Sequence, residues 1–246
     1  MLNTVLYDGP AGTPLLIAHG LFGSARNWNV IAKRLSETRP VVTVDMRNHG
    51  ASPWFDTQSY ADMAGDLAEV IDGQADVLGH SMGGKAAMVL ALQHPEKVRK
   101  LIVGDIAPVA YSHSQMGPIE AMRGVDLGAI SSRAEAQEQL TGLEAGVDTF
   151  LLQSLDLKEK KWKLNLDVLD AEMAKIVGFP EVSGTFDGPA LFLSGAKSVY
   201  VLPEYRPRIK ALFSQAKFAK IPDAGHWLHA EKTVAFNKIV TRFLNS

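Results

Sequence analysis

The pentapeptide Gly79-His80-Ser81-Met82-Gly83 fits the pattern Gly-x-Ser-x-Gly. In that pattern a sharp strand-to-helix turn lifts a serine hydroxyl clear of a sheet edge. The hydroxyl is a poor nucleophile until a base takes its proton, and histidine is the usual base. Seven histidines are present, and His226, in Ala224-Gly225-His226-Trp227, has the placement the base requires, just after the last predicted strand. The others read differently: His80 flanks Ser81 with its side chain turned away, and His19 is structural beneath a loop. His94 precedes Pro95 at a helix end, His49 and His113 lie in loops, and His229 begins the last helix.

The imidazole needs a carboxylate on its other nitrogen to fix its tautomer. In chains with such an elbow the order is serine, acid, histidine. After the predicted strand at residues 190–193, Ser198 stands where the acid is expected, and a hydroxyl cannot supply the charge. One strand earlier, Asp105 follows the run at residues 98–103, which should neighbour the nucleophile strand. Asp105 is therefore the predicted acid.

A tetrahedral acyl intermediate carries a negative oxygen that wants two fixed N–H donors. The predicted donors are the backbone amides of Met82, just after the nucleophile, and of Phe22, in His19-Gly20-Leu21-Phe22-Gly23. Phe22, Met82, Trp227, Tyr111, Trp28 and Trp54 are the candidate walls of an apolar substrate pocket; the oxyanion geometry places Phe22 and Met82 there, and the others read equally as core. Asp45 and Arg47 read as shaping a neighbouring loop through a capping bond or a buried pair.

Three patterns are discounted. Residues 79–86 almost match a phosphate-binding loop, but Ala86 has no hydroxyl for magnesium, so Lys85 reads as an ion-pair partner or the back wall of the site. His226 and His229 are spaced His-x-x-His without a supporting carboxylate pattern, so no metal is assigned. The basic run Lys158-Glu159-Lys160-Lys161-Trp162-Lys163 reads as a solvated helix face rather than an anion site.

Strand-like and helix-like segments alternate along residues 1–107 and 189–246, which implies a mostly parallel central sheet flanked by helices. Ligands of such sheets bind beyond the carboxyl ends of the strands, where the motifs fall. Between residues 108 and 188 strand signals vanish and helical periodicity dominates, which predicts an inserted helical cap. The 246 residues carry a net charge of −2, which disfavours a nucleic-acid partner, and no cysteine, which excludes disulfides and thiolate chemistry. No apolar run is long enough to span a bilayer and no secretory leader is visible, so a cytoplasmic location is expected.

Five ordered motifs together resemble the α/β-hydrolase superfamily across nearly the whole chain. They are His19-Gly20-Leu21-Phe22-Gly23, residues 45–52 (Asp-Met-Arg-Asn-His-Gly-Ala-Ser), Gly79-His80-Ser81-Met82-Gly83-Gly84-Lys85, Asp105-Ile106-Ala107-Pro108, and residues 225–231. The nearest resemblance is to the bacterial YbfF-like esterases, similar to the abhydrolase-11 proteins. It implies the α/β-hydrolase fold and a carboxylesterase acting on small-molecule acyl esters or acyl-CoA thioesters through an acyl-enzyme, with no cofactor. It also implies an acid after the earlier strand, in keeping with Asp105, and a serine at the Ser198 position. A C–C hydrolase, a perhydrolase and a non-catalytic binding protein on the same scaffold remain as alternatives. Acyl chain length and oligomeric state are not encoded in any motif.

Overall fold

A computed structural model describes residues 1–112 and 114–246; His113, read as a loop residue, lies outside the described residues. Its central sheet is built from β1 (Thr4–Tyr7), β2 (Leu15–Ala18), β3 (Val41–Val44), β4 (Ala75–His80), β5 (Val98–Gly104), β8 (Phe186–Gly195) and β9 (Phe213–Ile221). Two short cap strands, β6 (Leu155–Asp156) and β7 (Lys161–Trp162), form a separate hairpin. The order across the main sheet is β1-β3-β2-β4-β5-β8-β9, and the β1–β3 pair is its antiparallel one.

Every residue of β2 and β4 is buried, as expected of central strands covered on both faces. Alternation divides their side chains between two layers. Leu15, Ile17 and Leu78 pack with α1 (Asn29–Leu35) and the amphipathic C-terminal α11 (Thr233–Leu244) through Trp28, Ile31, Phe236 and Val240. Leu16, Ala18 and Val77 face the layer of α2 (Tyr60–Val70) and α3 (Met82–Gln93). Ser59 caps α2 by accepting the Asp62 N–H (3.2 Å). α3 is apolar almost all round, which suits a helix with no solvent face.

Between β5 and β8 run α4 (Met116–Gly124), α5 (Arg133–Gln139), α6 (Val147–Leu151), the β6–β7 hairpin, α7 (Leu166–Ala171) and α8 (Met173–Val177). The chain returns through α9 (Arg206–Leu212) and α10 (Leu228–Glu231). The inserted segment is thus mainly helical, with two differences from expectation. The basic run at residues 158–163 is the turn and second strand of the hairpin rather than a helix face. β8 starts at Phe186, ahead of the expected end of the insertion, because Phe186 pairs with Phe213 across a bulge before the regular ladder begins at Pro189.

Strand register sets the distance between the chemical groups. His80 is paired with Gly104, so Ser81 and Asp105 each leave the sheet one residue later, on adjacent strands. Among the described residues no helix is long and apolar enough to cross a membrane.

Candidate active site

Ser81 lies between β4 and α3 with φ 53° and ψ −121°, a left-handed conformation that costs a non-glycine residue of the order of 1–3 kcal/mol. The neighbouring helix and strands hold it there by close approach. A Cβ on Gly79 would sit 2.2 Å from the Gly83 carbonyl oxygen, and one on Gly83 would sit 2.4 Å from that of His19. Neither position admits a side chain without moving backbone.

His226 comes from the turn after β9 and reaches across to both partners. Its Nδ1 is 2.8 Å from Asp105 Oδ2, and its Nε2 is 3.1 Å from Ser81 Oγ. A carboxylate only accepts, so Nδ1 carries the ring proton and the Nε2 lone pair is left to accept the Ser81 O–H. Asp105 is fully buried, also in a left-handed turn (φ 50°), and its oxygens accept from the Gly195 N–H (3.1 Å) and Ser198 Oγ (2.5 Å). Ser198 thus stands against the acid and donates to it. The Tyr200 ring stacks on the His226 imidazole with centroids 4.2 Å apart. The His226 side chain keeps 24% of its surface exposed, enough to meet an incoming molecule. The three groups can pass a proton from hydroxyl to imidazole while a buried carboxylate stabilises the cation that forms.

The loop amides differ from expectation at one position. The Phe22 N–H, predicted to face an oxyanion, donates to His49 Nε2 (3.2 Å), and His49 Nδ1 in turn donates to the Arg47 carbonyl (2.8 Å). Phe22 takes φ 62° to do so. The sequence places His49 in a loop and shows the motif around it, but nothing in one sequence reveals which amide it meets. His19 does brace the loop from beneath, accepting the Met46 N–H (2.9 Å) and donating to the Gly20 carbonyl (2.7 Å). Asp45 accepts from the Ala25 N–H (2.7 Å), the Ala51 N–H (2.9 Å) and Asn3 Nδ2 (2.8 Å), and Arg47 pairs with Asp66 (2.6 Å). The insertion reaches the same loop, since Ser154 Oγ donates to the Phe22 carbonyl (3.0 Å).

The predicted pocket residues separate. Phe22 and Met82 are buried beside the elbow, and Trp227 packs against Phe150 of α6 (5.8 Å between centroids), where insertion meets core. The Tyr111 hydroxyl is committed to main chain, accepting from Ala107 N–H (2.9 Å) and donating to the Tyr200 carbonyl (2.6 Å), which gives it a bracing position. Among the described residues Lys85 makes no ion pair. Its ammonium donates to the carbonyls of Val177 (2.9 Å) and Gly178 (2.5 Å) at the end of α8, and burial pushes its pKa down to about 7. Trp28 is core, stacked on His229 (4.4 Å), and Trp54 is exposed.

Four further imidazoles surround the site in the neutral form. Burial lowers the pKa of His19 and lowers that of His80 well below the ordinary value; it brings His49 and His229 to about 3, with neighbouring imidazoles adding to the last three. A base whose folded pKa is depressed binds its proton more readily unfolded, so folding is opposed as pH falls below the unfolded value of 6.5. Stability should therefore drop as pH falls from 6.5 toward 3, by about 1.4 kcal/mol per pH unit for each fully responding histidine. Urea midpoints measured between pH 7 and 4 test this, and His229→Phe should flatten the slope. A midpoint constant down to pH 4 would contradict it.

The family described as "Alpha/beta hydrolase family" matches residues 15–239. The chain is 42% identical over 260 residues to the mouse (Mus musculus) protein named "sn-1-specific diacylglycerol lipase ABHD11", covering 99% of this chain and 85% of that one. It is 39% identical over 244 residues to "Esterase YbfF" of Escherichia coli (strain K12), covering 95% and 93%. A solved structure titled "Marine microorganism esterase" superposes with a TM-score of 0.93 at 39% identity, covering 98% of each chain.

Proposed function

We propose, from the premise that this chain belongs to the alpha/beta hydrolase family, that it hydrolyses carboxylic esters, with Ser81 as nucleophile, His226 as base and Asp105 as the acid that orients the base. The observation that carries this reading is the unbroken line from Ser81 Oγ to His226 Nε2 (3.1 Å) and from Nδ1 to Asp105 Oδ2 (2.8 Å). The names of the mouse and Escherichia coli relatives, a lipase and an esterase, point to the same bond type.

Ser81 Oγ attacks the acyl carbon as its proton passes to His226 Nε2. The oxyanion is held by the Met82 amide, which opens α3 where first-turn N–H groups lack helical acceptors. The second donor comes from the His19-Gly20-Leu21-Phe22-Gly23 loop, where the Phe22 N–H, expected for that part, donates to His49 Nε2 in the free protein. The imidazolium protonates the leaving oxygen, or sulfur for a thioester, and an acyl-Ser81 remains. His226 then deprotonates water, the hydroxide attacks the acyl carbon, and as the intermediate collapses to the acid the His226 imidazolium returns its proton to the departing Ser81 oxygen. Phe22, Met82 and Trp227 supply apolar contact for the acyl chain. Trp227 meets Phe150 of the insertion, which supports an acyl contact at the edge of the core.

A fluorophosphonate probe, with peptide mapping, tests the nucleophile, and p-nitrophenyl esters compared with acyl-CoA thioesters of matched chain length test the bond. One adduct at Ser81 and turnover of esters are expected. An unlabelled Ser81 with no turnover of either series would remove the proposal in favour of a binding protein on the same scaffold.

A further inference from the structure

His80 precedes the nucleophile and its ring lies 4.8 Å from that of His226, centroid to centroid, yet the proposed reaction gives it no part. Its ring is nevertheless placed where the functional turns converge. Nε2 lies 2.8 Å from the carbonyl oxygen of His226, the residue that carries the base. A carbonyl only accepts, so Nε2 holds the ring proton and donates. The ring lies beside two glycines. A Cβ on Gly20, in the oxyanion loop, would fall 3.2 Å from His80 Nδ1, and one on Gly104, the residue before Asp105, would fall 3.4 Å from Cδ2. One imidazole thus lies against the loop that carries the second oxyanion donor, the strand end that carries the acid, and the main chain that carries the base. Its own backbone leads directly into Ser81.

The base turn needs such a hold. The Gly225 N–H is held by Glu231 (2.7 Å) and the Ala224 carbonyl by the Lys197 N–H (2.9 Å), so the flanks are tied to their surroundings. At His226 the main-chain tie runs to His80, while the Tyr200 ring fixes the plane of the side chain. Behind His80, His229 meets its ring at 4.6 Å and stacks on Trp28, which backs the wedge with buried apolar material. Burial, helped by the neighbouring imidazoles, lowers the His80 pKa well below the ordinary value, and the carbonyl acceptor keeps the ring proton of the neutral form on Nε2.

We infer that His80 is a positioning residue: its Nε2–H bond to the His226 carbonyl, with its ring wedged against Gly20 and Gly104, holds nucleophile, acid, base and oxyanion loop in mutual register. The inference rests on the ester-hydrolase reading of the same site. The hydrogen bond acts on the placement of Nε2 relative to Ser81 Oγ, so its loss changes the chemical step more than substrate binding.

His80→Phe keeps a ring in the wedge and removes the donor; His80→Gln can present an N–H near the same point; His80→Met, smaller and without a donor, replaces His80→Phe if the latter does not fold. The donor-less variant should lose about 10- to 100-fold in kcat, the scale of a misplacement near 1 Å, with KM within about threefold of wild type. The rate of fluorophosphonate labelling at Ser81 should fall in parallel, and His80→Gln should recover most of both. Amide hydrogen exchange at residues 222–228 should quicken in the donor-less variant alone. Wild-type kcat in a folded donor-less variant, or equal loss in folded His80→Gln, would overturn the inference. Wild-type protein that neither turns over esters nor takes the label would instead remove the hydrolase reading, while the exchange data would still report whether His80 holds the turn.

Discussion

Ser81→Ala is expected to lower kcat for ester hydrolysis by about 10,000-fold or more, the scale on which single nucleophile deletions act in serine hydrolases. The substitution removes the atom that forms the acyl-enzyme. It leaves the base, acid and loop amides in place, so residual turnover would come from oxyanion contacts and substrate placement alone. The folded state should survive, because the methyl group of alanine fits where the serine methylene already sits. The left-handed backbone at Ser81 is no harder for alanine than for serine. Thermal denaturation close to wild type, combined with lost burst and lost labelling, is the expected pair of results. Retained p-nitrophenyl ester hydrolysis in purified Ser81→Ala protein would exclude the assignment.

Asp105→Asn should lower kcat by a comparable factor, about 10,000-fold, or about 5.5 kcal/mol of transition-state stabilisation. The reason lies in the bonds around the carboxylate. Oδ1 accepts the Gly195 N–H and Oδ2 faces both His226 Nδ1 and Ser198 Oγ. An asparagine side chain would keep its carbonyl toward the Gly195 N–H and turn its NH2 group toward His226. Nδ1 would then have to accept, the ring proton would move to Nε2, and the lone pair that receives the Ser81 proton would vanish. Steady-state kinetics together with a thermal melt distinguish this from unfolding. A variant within tenfold of wild type would show that Asp105 is not the acid that orients the base, and would return attention to Ser198 and its surroundings.

The residues proposed for catalysis are legible in the sequence to different depths for physical reasons. Ser81 and its elbow are a local pattern, since the glycines that allow the turn lie within two residues of the serine. His226 is proposed from its place after the last strand, and its ring lies between Ser81 and Asp105. Asp105 required a non-local step, the judgement that β5 lies beside β4, and strand register places the two turns side by side. Other features depend on partners that no motif records. Lys85 has main-chain carbonyls as its acceptors, and carbonyls leave no trace in residue type. His49 takes the Phe22 amide from a turn 27 residues away. The β6–β7 strands are two residues each, too short for a period of two to register.

The hydroxyl of Ser154 joins the insertion to the carbonyl of Phe22, so the segment above the site is not an interchangeable module. A graft that replaced it with a foreign sequence lacking a donor at that point would release the oxyanion turn from above. Such a chimera would turn over every substrate more slowly, large and small alike, rather than trading one preference for another.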